Sequence, residues 1–185
     1  MRLEDNVYEY IKEEVVDLFV RYEVKCIPIS GFELAMKMGI VLIPYSSLST
    51  AKQAAANKVS EDGFYFEPGD GREIIFYNDD KYYTRVNMTI LHEIGHCVLG
   101  HSEDMDAEVV ESEAGFFAKY AAAPPPLIHK LKPETPEEIE AVFDIGYEAA
   151  YYAFVYYQKW LRKHYALGRY CSYEIRLLQI FQETA

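Results

Sequence analysis

Cysteine is scarce in this chain: three among 185 residues, at Cys26, Cys97 and Cys171, with no Cys-x-x-Cys pair. That excludes a disulfide framework and a structural zinc site of paired thiolates, and it leaves reduced, packed thiols as the expectation. Basic residues are also short, 18 Lys and Arg against 30 Asp and Glu, for a net charge of −12. Such a balance repels a phosphate backbone, so no direct nucleic-acid binding is expected. No apolar run approaches the roughly 20 residues of a membrane span. Met1-Arg2-Leu3-Glu4-Asp5-Asn6 does not open a signal peptide, so a cytoplasmic protein without a membrane segment is expected. Internal repeats and low-complexity tracts are missing too.

Apolar side chains are plentiful, at 50% of the chain. That is enough for a substantial core and argues against disorder of the whole. The expectation is a single domain over residues 1–185, with its core at about 30–126 and a C-terminal helical part at about 135–185.

Tyr8, Ile11, Val15, Leu18 and Phe19 recur at helical spacing between Val7 and about Tyr22. Ser30 followed by Glu33 is a capping box for a short helix through Met38, which Gly39 is placed to end. A strand from Ile40 to Pro44 follows. Gly63–Phe66 and Glu73–Tyr77 flank Glu67-Pro68-Gly69-Asp70-Gly71 as a hairpin. The second of these strands leads into a helix over about Lys81–Leu99, with Asn78, Asp79 or Asp80 as N-cap and Gly100 past its end. We take Glu73–Tyr77 as a sheet edge able to receive an extended peptide by backbone hydrogen bonding. Further helices are expected from about Asp106 to Ala122, from Thr135 to Gly146, from Tyr147 to about Tyr165, and near Glu174–Phe181.

The chemistry concentrates in His92-Glu93-Ile94-Gly95-His96. Two imidazoles four residues apart on a helix share a face one turn apart, so both can present nitrogens to one Zn²⁺. Glu93 projects beside them, where it can take a proton from an attacking water and hand it to a leaving amine. The flanks Met88, Ile90, Leu91, Ile94, Val98 and Leu99 are apolar. Burying two histidines and a glutamate among them is costly unless they are paired or bind a metal.

A third ligand is needed. Another His in the extended motif would require Gly and His where Leu99 and Ser102 stand, so a downstream carboxylate is the remaining solution. Glu111 and Glu113 both lie on the next helix. Ala114, Phe117 and Ala118 mark its inward face, and Glu111 is three positions before Ala114, so Glu111 is preferred and Glu113 is the alternative. For His101 a partly exposed histidine with no catalytic task is the expectation, with orienting a ligand from behind or stabilising an oxyanion as the alternatives, and Cys97 is expected to pack rather than to ligate.

Thr89 to His101 together with Glu111-Ser112-Glu113-Ala114-Gly115-Phe116-Phe117-Ala118 resembles the ImmA/IrrE family of zinc metallopeptidases, and the likeness extends over roughly residues 30–150. The resemblance implies an α+β fold, a mainly helical zincin-like domain with a small antiparallel sheet packed on the His-Glu-x-x-His helix. It implies zinc on His92, His96 and Glu111, with Glu93 as the base, and hydrolysis of a protein substrate; several family members cleave helix-turn-helix repressors. Three places, five positions in all, depart from the family pattern. Gly115 stands where Asp or Asn is usual, which loses a hydrogen bond to a ligand histidine. Asn87-Met88 replaces Arg-Phe, and Ala121-Ala122 replaces a bulkier apolar pair. The competing expectation is a zinc-containing regulatory protein that recognises a partner without cleaving it. Glu93 argues for the enzyme, because a purely structural zinc has no need of that carboxylate.

Overall fold

The computed structural model describes residues 3–102 and 104–182. The chain divides into two compact units, one of Ser30–Ala118 and one of the described residues in Arg2–Ile29 and Lys119–Ala185.

The first unit opens with α2 (Gly31–Met38), after α1 (Asp5–Arg21) in the second unit. The Ser30 hydroxyl accepts the Glu33 N–H at 3.2 Å, and Gly39 closes the helix at φ 83°, a left-handed conformation that glycine adopts without strain. Three short strands follow: β1 (Val41–Pro44), β2 (Gly63–Phe66) and β3 (Ile74–Tyr77), with α3 (Thr50–Val59) between the first two. β2 and β3 form the expected hairpin, Phe64 facing Phe76. β1 then joins β3 in parallel, so the sheet is mixed rather than purely antiparallel, in the order β1-β3-β2.

That order corrects the expectation for residues 73–77. β3 is the central strand and both its backbone edges are paired; the edge beside α4 (Tyr83–Val98) is β2. Hydrophobicity supports the correction, since Ile75 is fully buried and Ile74 nearly so, as a strand flanked on both sides requires. The sheet lies close against α4 at Gly63, where an added Cβ would stand 2.7 Å from the Phe76 carbonyl oxygen and 2.8 Å from Thr89 Cγ2. Only glycine fits there.

α5 (Ala107–Ala122) is opened by Asp106, whose carboxylate accepts the N–H groups of Glu108 at 2.9 Å and Val109 at 3.2 Å. By contrast, none of Asn78, Asp79 and Asp80 caps α4, which starts after Tyr82 with no side-chain cap. Asp79 instead binds Ser46 and Asn78 donates to the Glu61 carbonyl, so both fasten loops. Ile90, Leu91, Ile94, Ala114 and Phe117 are fully buried and form the centre of this unit.

The regular structure of the second unit, among its described residues, consists of helices: α1, α6 (Pro125–Leu131), α7 (Pro136–Phe143), α8 (Tyr147–Leu167) and α9 (Ser172–Ile180). α1 packs on α9, and α8 on α6 and α7, around Ile11, Val15, Phe19, Leu127, Ile139, Phe143 and Leu177. The Pro124-Pro125-Pro126 run ends α5 as expected but also starts α6, since proline is tolerated in a helix's first turn. Among the described residues no helix is long and apolar enough to cross a membrane.

Candidate metal centre

α4 and α5 bring His92, His96 and Glu111 together. Their closeness begins with Gly95, the small residue inside the motif: an added Cβ would meet the Phe117 ring and Cβ at 3.1 to 3.2 Å. α5 thus packs against bare α4 backbone, and Glu111, six residues before Phe117, comes opposite the two histidines. His92 Nε2 lies 3.0 Å from His96 Nε2. Glu111 Oε2 is 3.2 Å from His92 Nε2, and Oε1 is 3.4 Å from His96 Nε2.

These three residues fit a metal ion. Donors held at about 2.0–2.2 Å around one tetrahedral ion stand roughly 3.3–3.6 Å from one another, close to the 3.0 Å between the imidazole nitrogens and the 3.2 and 3.4 Å from them to the two Glu111 oxygens. Two imidazole nitrogens and a carboxylate are the donor set zinc accepts in sites that keep an open position. Burial, with the neighbouring His92, holds the His96 pKa down at about 4, so its ring is neutral and its lone pair is available near neutral pH. Glu111 is exposed, yet its carboxylate is turned onto the histidine pair. Among the described residues this is the cluster of His, Cys, Asp and Glu that could hold a metal.

Glu93 is 7% exposed, and burial raises its pKa to about 7, with the Glu111 charge adding to the rise. Its Oε2 accepts the backbone N–H of Tyr65, on β2, at 2.8 Å. A cleft of about 490 Å³ adjoins it, lined by Phe64, Phe66, His96, His101 and Val110 among others. A smaller cavity of about 130 Å³ in the second unit, beside Lys12, Trp160 and Lys163, contains none of the convergent donors.

Glu113 does not join the cluster. Its Oε2 accepts from His101 Nε2 at 3.0 Å, while His101 Nδ1 lies 2.9 Å from His96 Nδ1. His101 thus stands behind His96, and with its side chain 5% exposed it is not the partly exposed histidine that was expected. Cys97 donates its thiol to Glu73 Oε1 at 3.0 Å and takes no place among the donors. At Gly115 an added Cβ would meet nothing within 4 Å, so the space for the missing Asp or Asn is open. Sequence reasoning missed the Tyr65 amide, because a backbone donor carries no residue-type signal.

Residues 35–154 match the family model of the M78 peptidases, described as the IrrE N-terminal-like domain. No curated protein matches the chain.

Proposed function

Since the chain belongs to the M78 peptidase family with its IrrE N-terminal-like domain, we propose that it is a zinc-dependent endopeptidase. In this reading His92, His96 and Glu111 hold the zinc and Glu93 is the general base. The observation that carries it is the convergence of His92, His96 and Glu111, which offer one ligand atom each within 4.8 Å of one another, beside a buried carboxylate whose pKa is about 7.

Zinc, when bound, supplies Lewis-acid polarisation of the scissile carbonyl and acidifies the attacking water. The protein's own groups do the rest. The Tyr65 N–H holds Glu93 Oε2, leaving Oε1 to take the water's proton. A base with a pKa near 7 is suited to both halves of the reaction at neutral pH: it accepts a proton and then yields it to the departing amine. The cleft beside β2 is the place for the substrate chain. An extended peptide suits it, because β2 lies at the sheet edge next to α4. The substrate is a protein, and on the resemblance a helix-turn-helix repressor.

The test is metal analysis together with cleavage of a co-expressed candidate repressor. We expect about one zinc per chain, most of it lost in His92→Ala and in His96→Ala. Glu93→Gln keeps its zinc and loses cleavage by a factor on the order of 10²–10⁴. Unchanged zinc in both histidine variants rules out the site; full cleavage by Glu93→Gln rules out the base.

A further inference from the structure

The cleft beside Glu93 is rich in hydrogen-bond acceptors and poor in donors, and the imbalance starts in the sheet. Residues of an antiparallel ladder alternate between exchanging hydrogen bonds with their partner and turning their peptide groups away from it. The Asn78 N–H donates to the Asp62 carbonyl at 2.8 Å, so Phe64 with Phe76 and Phe66 with Ile74 are bonded pairs, and Gly63 and Tyr65 turn their peptide groups off the open edge of β2. Both of these N–H groups are taken within the protein, Gly63 by the Ser60 hydroxyl at 3.1 Å and Tyr65 by Glu93 at 2.8 Å. Their carbonyls have no partner among the described residues. At these two residues the edge can accept from an added strand but has no amide left to give.

The side chains repeat the pattern. The Tyr65 hydroxyl donates to Glu73 and the Ser102 hydroxyl to Asp104, while both ring nitrogens of His101 are engaged by His96 and Glu113. Among the described residues no Lys or Arg lines the cleft, and the sequence has none between Arg85 and Lys119. Two exposed carboxylates stand at its rim: Glu67, which lines it and forms no ion pair among the described residues, and Asp104, bonded to the lining residue Ser102. Neither belongs to the donor cluster, so a metal bound there leaves their charge in place. Phe64, Phe66 and Val110 supply an apolar wall, with Phe66 46% exposed.

We propose that this cleft selects an extended, cationic peptide segment. Its N–H groups are accepted by the Gly63 and Tyr65 carbonyls, its Lys or Arg side chains meet Glu67 and Asp104, and an apolar residue between them lies against Phe64, Phe66 and Val110. The inference rests on the peptidase reading for the place of the substrate. A neutral or acidic segment would bring carbonyls and carboxylates up to groups that only accept, and a folded helix would offer the edge no free N–H.

Fluorescence anisotropy reads binding to the full chain carrying Glu93→Gln, which holds a peptide without cutting it, with and without added zinc. The probes are labelled peptides that share a central Leu-Phe pair and are flanked by Lys, by Ser or by Glu. We expect the Lys-flanked peptide to bind about 10-fold more tightly than the Glu-flanked one at low salt, with the gap closing as salt screens it. At unchanged helicity, Glu67→Lys with Asp104→Lys should remove most of the gap. Glu134→Lys with Glu137→Lys, an equal change of net charge at exposed residues of the second unit, should leave it. N-methylation of alternate residues of the Lys-flanked peptide should weaken binding about 10-fold in one register and not in the other. Equal binding of the Lys and Glu peptides, a gap that both double variants reduce alike, indifference to the methylation register, or no binding by any probe each overturn the proposal. A preference that holds in a chain that takes up no zinc and cuts nothing leaves this occupant standing and removes the peptidase. Zinc-dependent cleavage by the native chain with no preference for charge does the reverse.

Discussion

Two buried or half-buried glutamates, one in each unit, have been driven in opposite directions. Glu93 receives a single hydrogen bond, from the Tyr65 amide, and burial lifts its pKa to about 7. Glu9, in the second unit, would also be raised by burial. Hydrogen bonds from Tyr173 at 2.6 Å and Lys163 at 2.9 Å, with Lys12 at 3.1 Å, override that and bring it to about 2. The difference lies both in depth, since Glu9 is 39% exposed and Glu93 7%, and in how many donors surround the carboxylate. A saturated carboxylate fastens helices, and one left nearly bare is available for proton transfer.

Exchanging each for its amide should separate the two cases. Glu9→Gln gives up a charge-assisted cluster linking α1, α8 and α9, and we expect a loss of about 1–2 kcal/mol, since the site is partly open to water. Glu93→Gln should be neutral or slightly stabilising, because Gln still accepts the Tyr65 N–H and no charge is buried. Chemical denaturation of both variants checks this, and equal losses would erase the distinction.

Acid sharpens the same contrast. Glu9 is lowered in the folded state from 4.5 to about 2, so its stabilisation is fully present above about pH 4.5 and is lost as the pH falls towards 2. Melting followed by helical circular dichroism should show that loss in the native protein, and a flatter profile over the same range in Glu9→Gln.

The smallest expected effects come from two glycines of the first unit. Gly115→Ala adds a side chain in open space within a helix and should stabilise by roughly 0.5–1 kcal/mol without changing zinc content. Gly95→Ala instead presses on Phe117 and should weaken zinc binding while leaving the helices formed. Equal zinc affinity in both variants would mean that the α4–α5 approach does not set the ligand geometry.

Much of the site was legible because its logic is local. Residues spaced four apart on one helix face gave His92 and His96, and the inward face of the next helix separated Glu111 from Glu113. The cap at Asp106 and the stop at Gly39 follow from side-chain and backbone chemistry within a few residues. What escaped depends on distant pairing. β3 looked like an edge because its parallel partner β1 pairs with it across 33 residues of sequence, with α3 and β2 between them. α3 itself shows no apolar stripe, with only Ala56 buried, so no periodicity announced it. The bond from Glu113 through His101 to His96 depends on the reversal at Gly100 and on the packing of α5, which spacing alone does not give.

The hold on Glu93 comes from a main-chain amide rather than a side chain. Replacing Tyr65, Phe64 or Phe66 by anything except proline at 65 keeps the peptide group that orients the base. The walls of the cleft are therefore free to drift in size and polarity over evolution or in the laboratory. In the proposed reading, the side chains that line the cleft and the amide that orients Glu93 can therefore be varied independently of each other.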